Sequence, residues 1–152
     1  MGKKVILNPA PYSPKAKEFL PYIDIITPNE TEASLLSGIA VTDMESAKTA
    51  AKEIQALGVT TVLITMGSKG ALLLNDNKFH HIKPYPAVVV DTTGAGDAFN
   101  GALAATLASG RDLIYSASWA SAFASMAVEL EGASSMPDIN LVNAKFTDHQ
   151  LS

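Results

Sequence analysis

The sequence predicts an α/β fold in which a mostly parallel sheet is flanked by helices, and three observations lead there. Short β-branched runs are each stopped by proline or glycine, capped helical segments lie between them, and the two patterns alternate along the chain. With 152 residues, 47% of them apolar, the chain is long enough to bury one core and shows no internal boundary or repeat.

Val5-Ile6-Leu7 reads as a buried strand stopped by Pro9 and Pro11. Ser13-Pro14 supplies an N-cap with proline at the first helical position, opening a short helix to about Leu20. Asp24 to Thr27 is a second strand, stopped by Pro28. A helix begins at Asn29-Glu30-Thr31-Glu32, acidic in its first turn as the helix dipole favours, with Gly38 just past its end. Thr42-Asp43-Met44-Glu45 resembles a capping box, and Ala47, Ala51, Ile54 and Leu57 form the apolar stripe behind it. Thr60 to Met66 is the clearest strand. Ala71 to Leu74 and Lys78 to Ile82, joined through Asn75-Asp76-Asn77, make a hairpin, and Ala87 to Val90 reads as a further strand. Two Ala-rich helices follow, about 95–109 and 113–129, separated by Gly110. Phe99, Leu103 and Leu107 line the first; Trp119, Phe123, Met126 and Leu130 line the second and belong to a core stripe. The tail after Gly132 has weak periodicity.

Composition excludes several function classes. Eleven basic against fifteen acidic residues give a net charge of −4, which disfavours a nucleic-acid or anionic-membrane surface. No run approaches the ~18 apolar residues of a membrane span, and Val5-Ile6-Leu7 is too short for a signal-peptide core. The absence of cysteine removes disulfides, thiol catalysis and cysteine metal sites, and fits a cytoplasmic setting. His80 and His81 are adjacent on a strand, face opposite sides, and so cannot chelate one metal together.

The segment richest in chemistry is Asp91-Thr92-Thr93-Gly94-Ala95-Gly96-Asp97-Ala98-Phe99, between a strand and a helix. Backbone N–H groups at a helix N-terminus bind anions, and glycines let a phosphate come close. A carboxylate beside such a cradle repels the ligand unless it has work to do. Asp97 is therefore read either as a general base accepting a proton from an attacking hydroxyl or as a simple helix cap. A dinucleotide fingerprint fails because Phe99 stands where a third glycine is needed, and a P-loop fails because Ala102 follows Gly101.

These residues resemble the second signature of the ribokinase-like (PfkB) carbohydrate kinases. Asn8-Pro9-Ala10-Pro11, Thr27-Pro28-Asn29-Glu30-Thr31-Glu32, Thr65-Met66-Gly67-Ser68-Lys69-Gly70 and Gly132-Ala133-Ser134-Ser135 follow the family's order. The resemblance implies a three-layer ribokinase-like fold and ATP-dependent phosphorylation of a sugar hydroxyl, ribose first, with fructose or a nucleoside as alternative acceptors. It implies Asp97 as the catalytic base at the substrate and Gly94, Ala95 and Gly96 as the anion hole. Asn29 and Glu32 match an Asn-x-x-Glu motif acting on Mg²⁺ and phosphates through water; first-turn capping is the alternative for that pair. Thr65, Gly67, Ser68, Lys69, Gly70, Gly96 and Asn29 match nucleotide-binding positions. Ser121 falls where His or Asn often lies near the adenine. Asp91, Thr93, Ala127, Leu130, Gly132 and Ser135 match loops that hold K⁺, although Glu129-Leu130-Glu131 departs from a pattern in which a basic residue is common.

The resemblance covers only the C-terminal, nucleotide-binding and catalytic half of the family's chain; nothing matches the N-terminal sugar-binding and lid half. The expected partners are ATP and a small sugar, with self-association or a separate N-terminal half completing the fold and little activity by the chain alone. A non-catalytic nucleotide-binding or vestigial domain is the alternative from another class.

Overall fold

Strand-forming residues in this chain come in short runs, and the sheet they build is correspondingly narrow along the strands. The computed structural model describes residues 2–132 and 134–151, with only the backbone of Leu151. Five strands form one sheet in the order β1 (Ile6–Leu7), β2 (Ile25–Ile26), β3 (Thr61–Thr65), β4 (Ala71–Asn75), β5 (Lys78–Ile82). The first three run parallel, with Ile6 beside Ile25 and Ile25 beside Thr61. β4 returns antiparallel to β3, pairing Val62 with Leu74 and Ile64 with Leu72, so the sheet is mixed. Asp76 and Asn77, at φ 49° and 58°, make the two-residue turn into β5; Asn and Asp tolerate the left-handed conformation that such hairpin turns require.

The residues group into two compact units, Met1–Gly67 with Ala71–His81, and Ser68–Gly70 with Ile82–Ser152. In the first, α1 (Ala16–Phe19) is followed by the single 3₁₀ turn Leu20–Tyr22, then α2 (Glu30–Ser37) and α3 (Met44–Ala56). Their apolar stripes meet one face of the sheet: Ala33, Leu36, Ala47, Ala50, Ala51 and Ile54 cluster with Ile26, Val62, Ile64, Leu72 and Leu74. The alternate residues Ile25, Leu63 and Leu73 are also buried, as strands covered on both faces require. In the second unit, α4 (Ala95–Ala108) and α5 (Leu113–Ala127) pack through small residues, Ala98, Ala102, Ala117 and Ala120, all buried. Helices with so many alanines approach closely. A sixth helix, α6 (Ile139–Leu151), docks on α5: the Trp119 indole N–H donates to Asn143 Oδ1 at 2.8 Å, and the Tyr115 and Phe146 rings meet edge to face.

Four local expectations are corrected. α1 begins at Ala16, with no side-chain cap from Ser13, because residues 13–17 first form a turn through backbone bonds to Ser13 and Pro14. The cap of α3 is Asp43, paired with Ser46, one residue later than the Thr42–Glu45 pairing. Leu130 lies beyond the end of α5 and is exposed, so it leaves the core stripe. Residues 87–90 form no strand, because among the described residues no strand lies beside them to complete a ladder.

Candidate active site

In the first unit, the predicted positions gather at the carboxyl ends of parallel strands, where open α/β sheets commonly bind ligands. β2 runs out at Ile26, Pro28 breaks it, and Asn29 takes the extended backbone of an N-cap. Asn29 Oδ1 accepts the Glu32 N–H at 2.8 Å, and Glu32 Oε2 accepts the Asn29 N–H at 2.9 Å. This reciprocal pairing satisfies two N–H groups at the helix start, and the Glu32 side chain is buried by it. Thr65, the last residue of β3, forms a parallel bridge to Asn29 and donates its N–H to the Pro28 carbonyl at 2.9 Å. Asn29, Glu32 and Thr65 are therefore neighbours.

Gly67–Lys69 is a single 3₁₀ turn leading to Gly70. Gly70 has φ +89°, and a Cβ there would collide with the Ile82 carbonyl oxygen. Only glycine lets the turn lie this close to the end of β5.

In the second unit, Gly94 is the N-cap of α4 at φ 78°, and no side chain caps this helix. Ala95 N–H donates to the Thr92 carbonyl at 3.2 Å and Ala98 N–H to the Gly94 carbonyl at 2.9 Å. Among the described residues the N–H groups of Gly94, Gly96 and Asp97 meet no acceptor, which is the condition for an anion seat at a helix N-terminus. Asp97 is exposed in the first turn and is not the cap.

Asp91 organises the approach to this turn. Its Oδ1 accepts the Thr93 N–H at 2.8 Å and its Oδ2 accepts the Gly132 N–H at 3.1 Å. The Thr93 hydroxyl, then the Thr93 and Gly132 backbone N–H groups, hold its carboxyl below the ordinary carboxylate range. Around Gly132, Ala127 O accepts the Leu130 N–H and Gly132 O accepts the Ser135 N–H, both at 3.1 Å. The structure thus brings Asp91, Thr93, Gly132 and Ser135 into one bonded loop system; Ala133, in the same motif, lies outside the described residues. Ser121 is half-buried in the middle of α5. Glu129, which the sequence reading used only as a departure, accepts the Val88 N–H at 3.1 Å and pairs with Lys145 at 3.6 Å. Nothing local in Val128-Glu129-Leu130-Glu131 signals that role. No group of three or more His, Asp or Glu side chains suited to a metal ion occurs among the described residues.

The profile of pfkB family carbohydrate kinases matches residues 1–140. The chain belongs to that family. This PfkB chain is 39% identical to the ribokinase of Haemophilus influenzae over 97% of its own length and 48% of that protein. It is 42% identical to the ribokinase of Staphylococcus aureus, over 93% of the chain and 47% of the relative. A solved structure of Arabidopsis thaliana ribokinase complexed with ribose and ATP superposes with a TM-score of 0.88 at 39% identity, covering 95% of this chain and 48% of that one. The PfkB chain therefore spans about half the length of the curated relatives it matches, and the half it represents is the C-terminal one.

Proposed function

We propose that this chain is the nucleotide-binding and proton-accepting half of an ATP-dependent sugar kinase, with ribose as the acceptor. The observation that carries the reading is the start of α4, where acceptor-free N–H groups stand beside an exposed carboxylate that caps nothing. Similarity to ribokinases, one of them solved with ribose and ATP, supports the substrate class.

In this mechanism Asp97 accepts the proton of the sugar hydroxyl as that oxygen bonds the γ-phosphorus. The bond from γ-phosphorus to the bridging oxygen breaks and ADP leaves. The turn at Gly94, Ala95 and Gly96 stabilises the charge on the transferring group, with the N–H groups of Gly94 and Gly96 unpaired and that of Ala95 shared with the Thr92 carbonyl. Asn29 and Glu32 would act on Mg²⁺ through water, and the capping box engages only Oε2 of Glu32. Mg²⁺ would neutralise phosphate charge. We assign Thr65 and the turn through Gly67, Ser68, Lys69 and Gly70 to the nucleotide, and Ser121 to the adenine, on the match to the family's motifs. Asp91, Thr93 and Ser135, with the carbonyls of Ala127, Leu130 and Gly132, would hold K⁺, whose charge would tie together the two loops beside the anion seat. We take the setting to be cytoplasmic on the family resemblance; separately, no described helix is long and apolar enough to cross a membrane.

Alone, the chain turns over no sugar. Aligning two substrates supplies about 7–11 kcal/mol of barrier lowering, and the half of the family's chain that seats the sugar is not in this sequence. The test is a titration of the chain with ATP and Mg²⁺, followed by a coupled ADP assay on the chain joined behind the unmatched half of the Haemophilus influenzae ribokinase. Ribose, deoxyribose, fructose and adenosine are compared as acceptors. ATP binding by the chain and ribose-dependent ADP formation by the joined protein are expected. A chain that binds no ATP, in a joined protein that forms no ADP with any acceptor, overturns the reading.

A further inference from the structure

Lys145 on α6 pairs with Glu129 just past the end of α5, with Nζ 3.6 Å from Oε1 and the two side chains 22% and 33% exposed. The same Oε1 accepts the backbone N–H of Val88 at 3.1 Å. Next to it in the chain, the Val128 carbonyl accepts the N–H groups of Val90 and Asp91 at 2.7 and 3.1 Å. Gly132 completes the set by donating its N–H to Asp91 Oδ2. Residues 88–91, which lead into the turn before α4, are thus held along their length by residues 128–132. Among the described residues, Glu129 is the one side chain of that stretch that takes part. A carbonyl at 128 and an N–H at 132 exist whatever the sequence; a carboxylate at 129 does not. Taking such a charge largely out of water is costly unless a partner compensates, and Lys145 is that partner. From the same helix, Phe146 and His149 lie against Tyr85, with ring centroids 6.3 and 4.3 Å apart. α6 therefore reaches the segment before the turn at two places, Tyr85 directly and Val88 through Glu129.

We propose that Glu129 and Lys145 are positioning residues for the Asp91 turn: the Lys145 ammonium holds the Glu129 carboxylate onto the Val88 N–H, and this fixes the segment from which Asp91 reaches Thr93 and Gly132. Without the bond at Val88, the backbone of the segment keeps only the adjacent N–H groups of Val90 and Asp91 on one carbonyl, a single point about which it swings. Asp91 can hold Thr93 and Gly132 together only while its own backbone stays in place. The dependence runs in one order, from Lys145 to Glu129, then Val88, then Asp91. A hydrogen bond to a carboxylate is stronger than one to a neutral acceptor, which suits a single side chain to this task. Removing the ammonium alone leaves the carboxylate without its counter-charge, so it turns out to water and drops Val88. Replacing the carboxylate by an amide removes the need for the ammonium, since the amide oxygen still accepts the Val88 N–H. Glu129→Gln should therefore repair the damage done by Lys145→Met, which a simple packing role for the lysine stem would not allow.

The bearing on phosphoryl transfer rests on the proposed anion seat; the ordering of the turn does not, and amide hydrogen exchange in the chain itself reads it. Lys145→Met is expected to speed exchange at Val88, Thr93 and Gly132 by roughly fivefold or more. Lys145→Arg should leave these amides within about twofold of the parent, and adding Glu129→Gln to Lys145→Met should return them there. Glu129→Ala, acting from the other partner, should speed the same three amides with Lys145 intact. Trp119 emission checks that each variant keeps the α5–α6 packing. In the joined protein carrying both halves, Lys145→Met should lower kcat by about threefold or more with little change in the KM for ATP. Exchange at the three amides that neither Lys145→Met nor Glu129→Ala alters overturns the proposal. So does faster exchange that Glu129→Gln fails to repair, or an active joined protein whose kcat Lys145→Met leaves untouched. Exchange that changes as expected, beside a joined protein inactive with every acceptor, upholds the positioning role and counts against the catalytic reading alone.

Discussion

The two oxygens of Asp91 divide their labour: Oδ2 accepts the backbone N–H of Gly132, 41 residues further along, at 3.1 Å, while Oδ1 holds Thr93 two residues away at 2.8 Å. One carboxylate thus ties the loop after α5 to the turn before α4. The Thr93 hydroxyl first, and then both of these bonds, favour the charged carboxylate and hold its pKa down.

A carboxyl whose folded pKa is depressed adds stability above its unfolded pKa and loses it as pH falls through the folded one. Asp91 should therefore stabilise the fold above about pH 4, the usual carboxylate value, and lose that contribution below it. Urea denaturation of the chain and of Asp91→Asn between pH 7 and pH 2.5 should give curves that differ near neutrality and converge at the acid end. A constant difference across the range would mean that charge at Asp91 plays no part.

Asp97→Asn, made in a version of the enzyme carrying both halves, should lower kcat by about 10²–10⁴ with little change in ATP affinity. The variant keeps the size and hydrogen-bonding capacity of the side chain but cannot accept the proton. Single-turnover phosphate transfer at near wild-type rate would remove the general-base role.

Asn29→Ala deletes one arm of the capping box and leaves the Glu32 N–H unpaired, which should cost about 0.5–2 kcal/mol. Asn29→Asp should restore most of that, since a carboxylate accepts the same N–H and suits the helix dipole. Thermal melts of the three proteins test this. An alanine variant as stable as the parent would show that the box holds nothing.

Asn143→Leu removes the acceptor of the Trp119 indole N–H while preserving bulk, leaving a part-buried donor without a partner. The expected loss is about 1–3 kcal/mol, and the emission of the chain's one tryptophan should shift in the folded state. Denaturation followed by that emission reads both effects.

Most of what was legible in the sequence was local. The Pro28-Asn29 break, Gly38 after α2, the Asp76-Asn77 turn and the glycines around Asp97 each specify a backbone conformation through the residue itself, and each is found where the residues put it. The α3 cap was misplaced by one position because Thr42 and Asp43 are both good caps, and Glu45 and Ser46 can both answer them. α6 was not legible. Ile139 and Leu141 face solvent and Val142 is buried, so its apolar residues draw no clean stripe, and the helix is held by contacts with Trp119 and Tyr115. The strand expected at 87–90 had the right residues but needs a neighbour that these residues cannot name. At the site, the turn could be read from spacing, whereas the hold of Glu129 on Val88 joins positions 41 apart, and no local pattern announces it.

The strand order has a consequence for how the sheet assembles. Every neighbour in it is also the next strand in the chain, so the pairings differ only in how much chain each must gather. The β3–β4–β5 meander closes over short turns, whereas joining β2 to β3 must first gather the whole span from Ile25 to Thr61. Loop closure costs more as the loop grows, so the antiparallel edge is expected to form early and the parallel edge to be laid down upon it once α2 and α3 exist. Substitutions at Leu73 should then slow folding, and substitutions at Ile6 should mainly hasten unfolding.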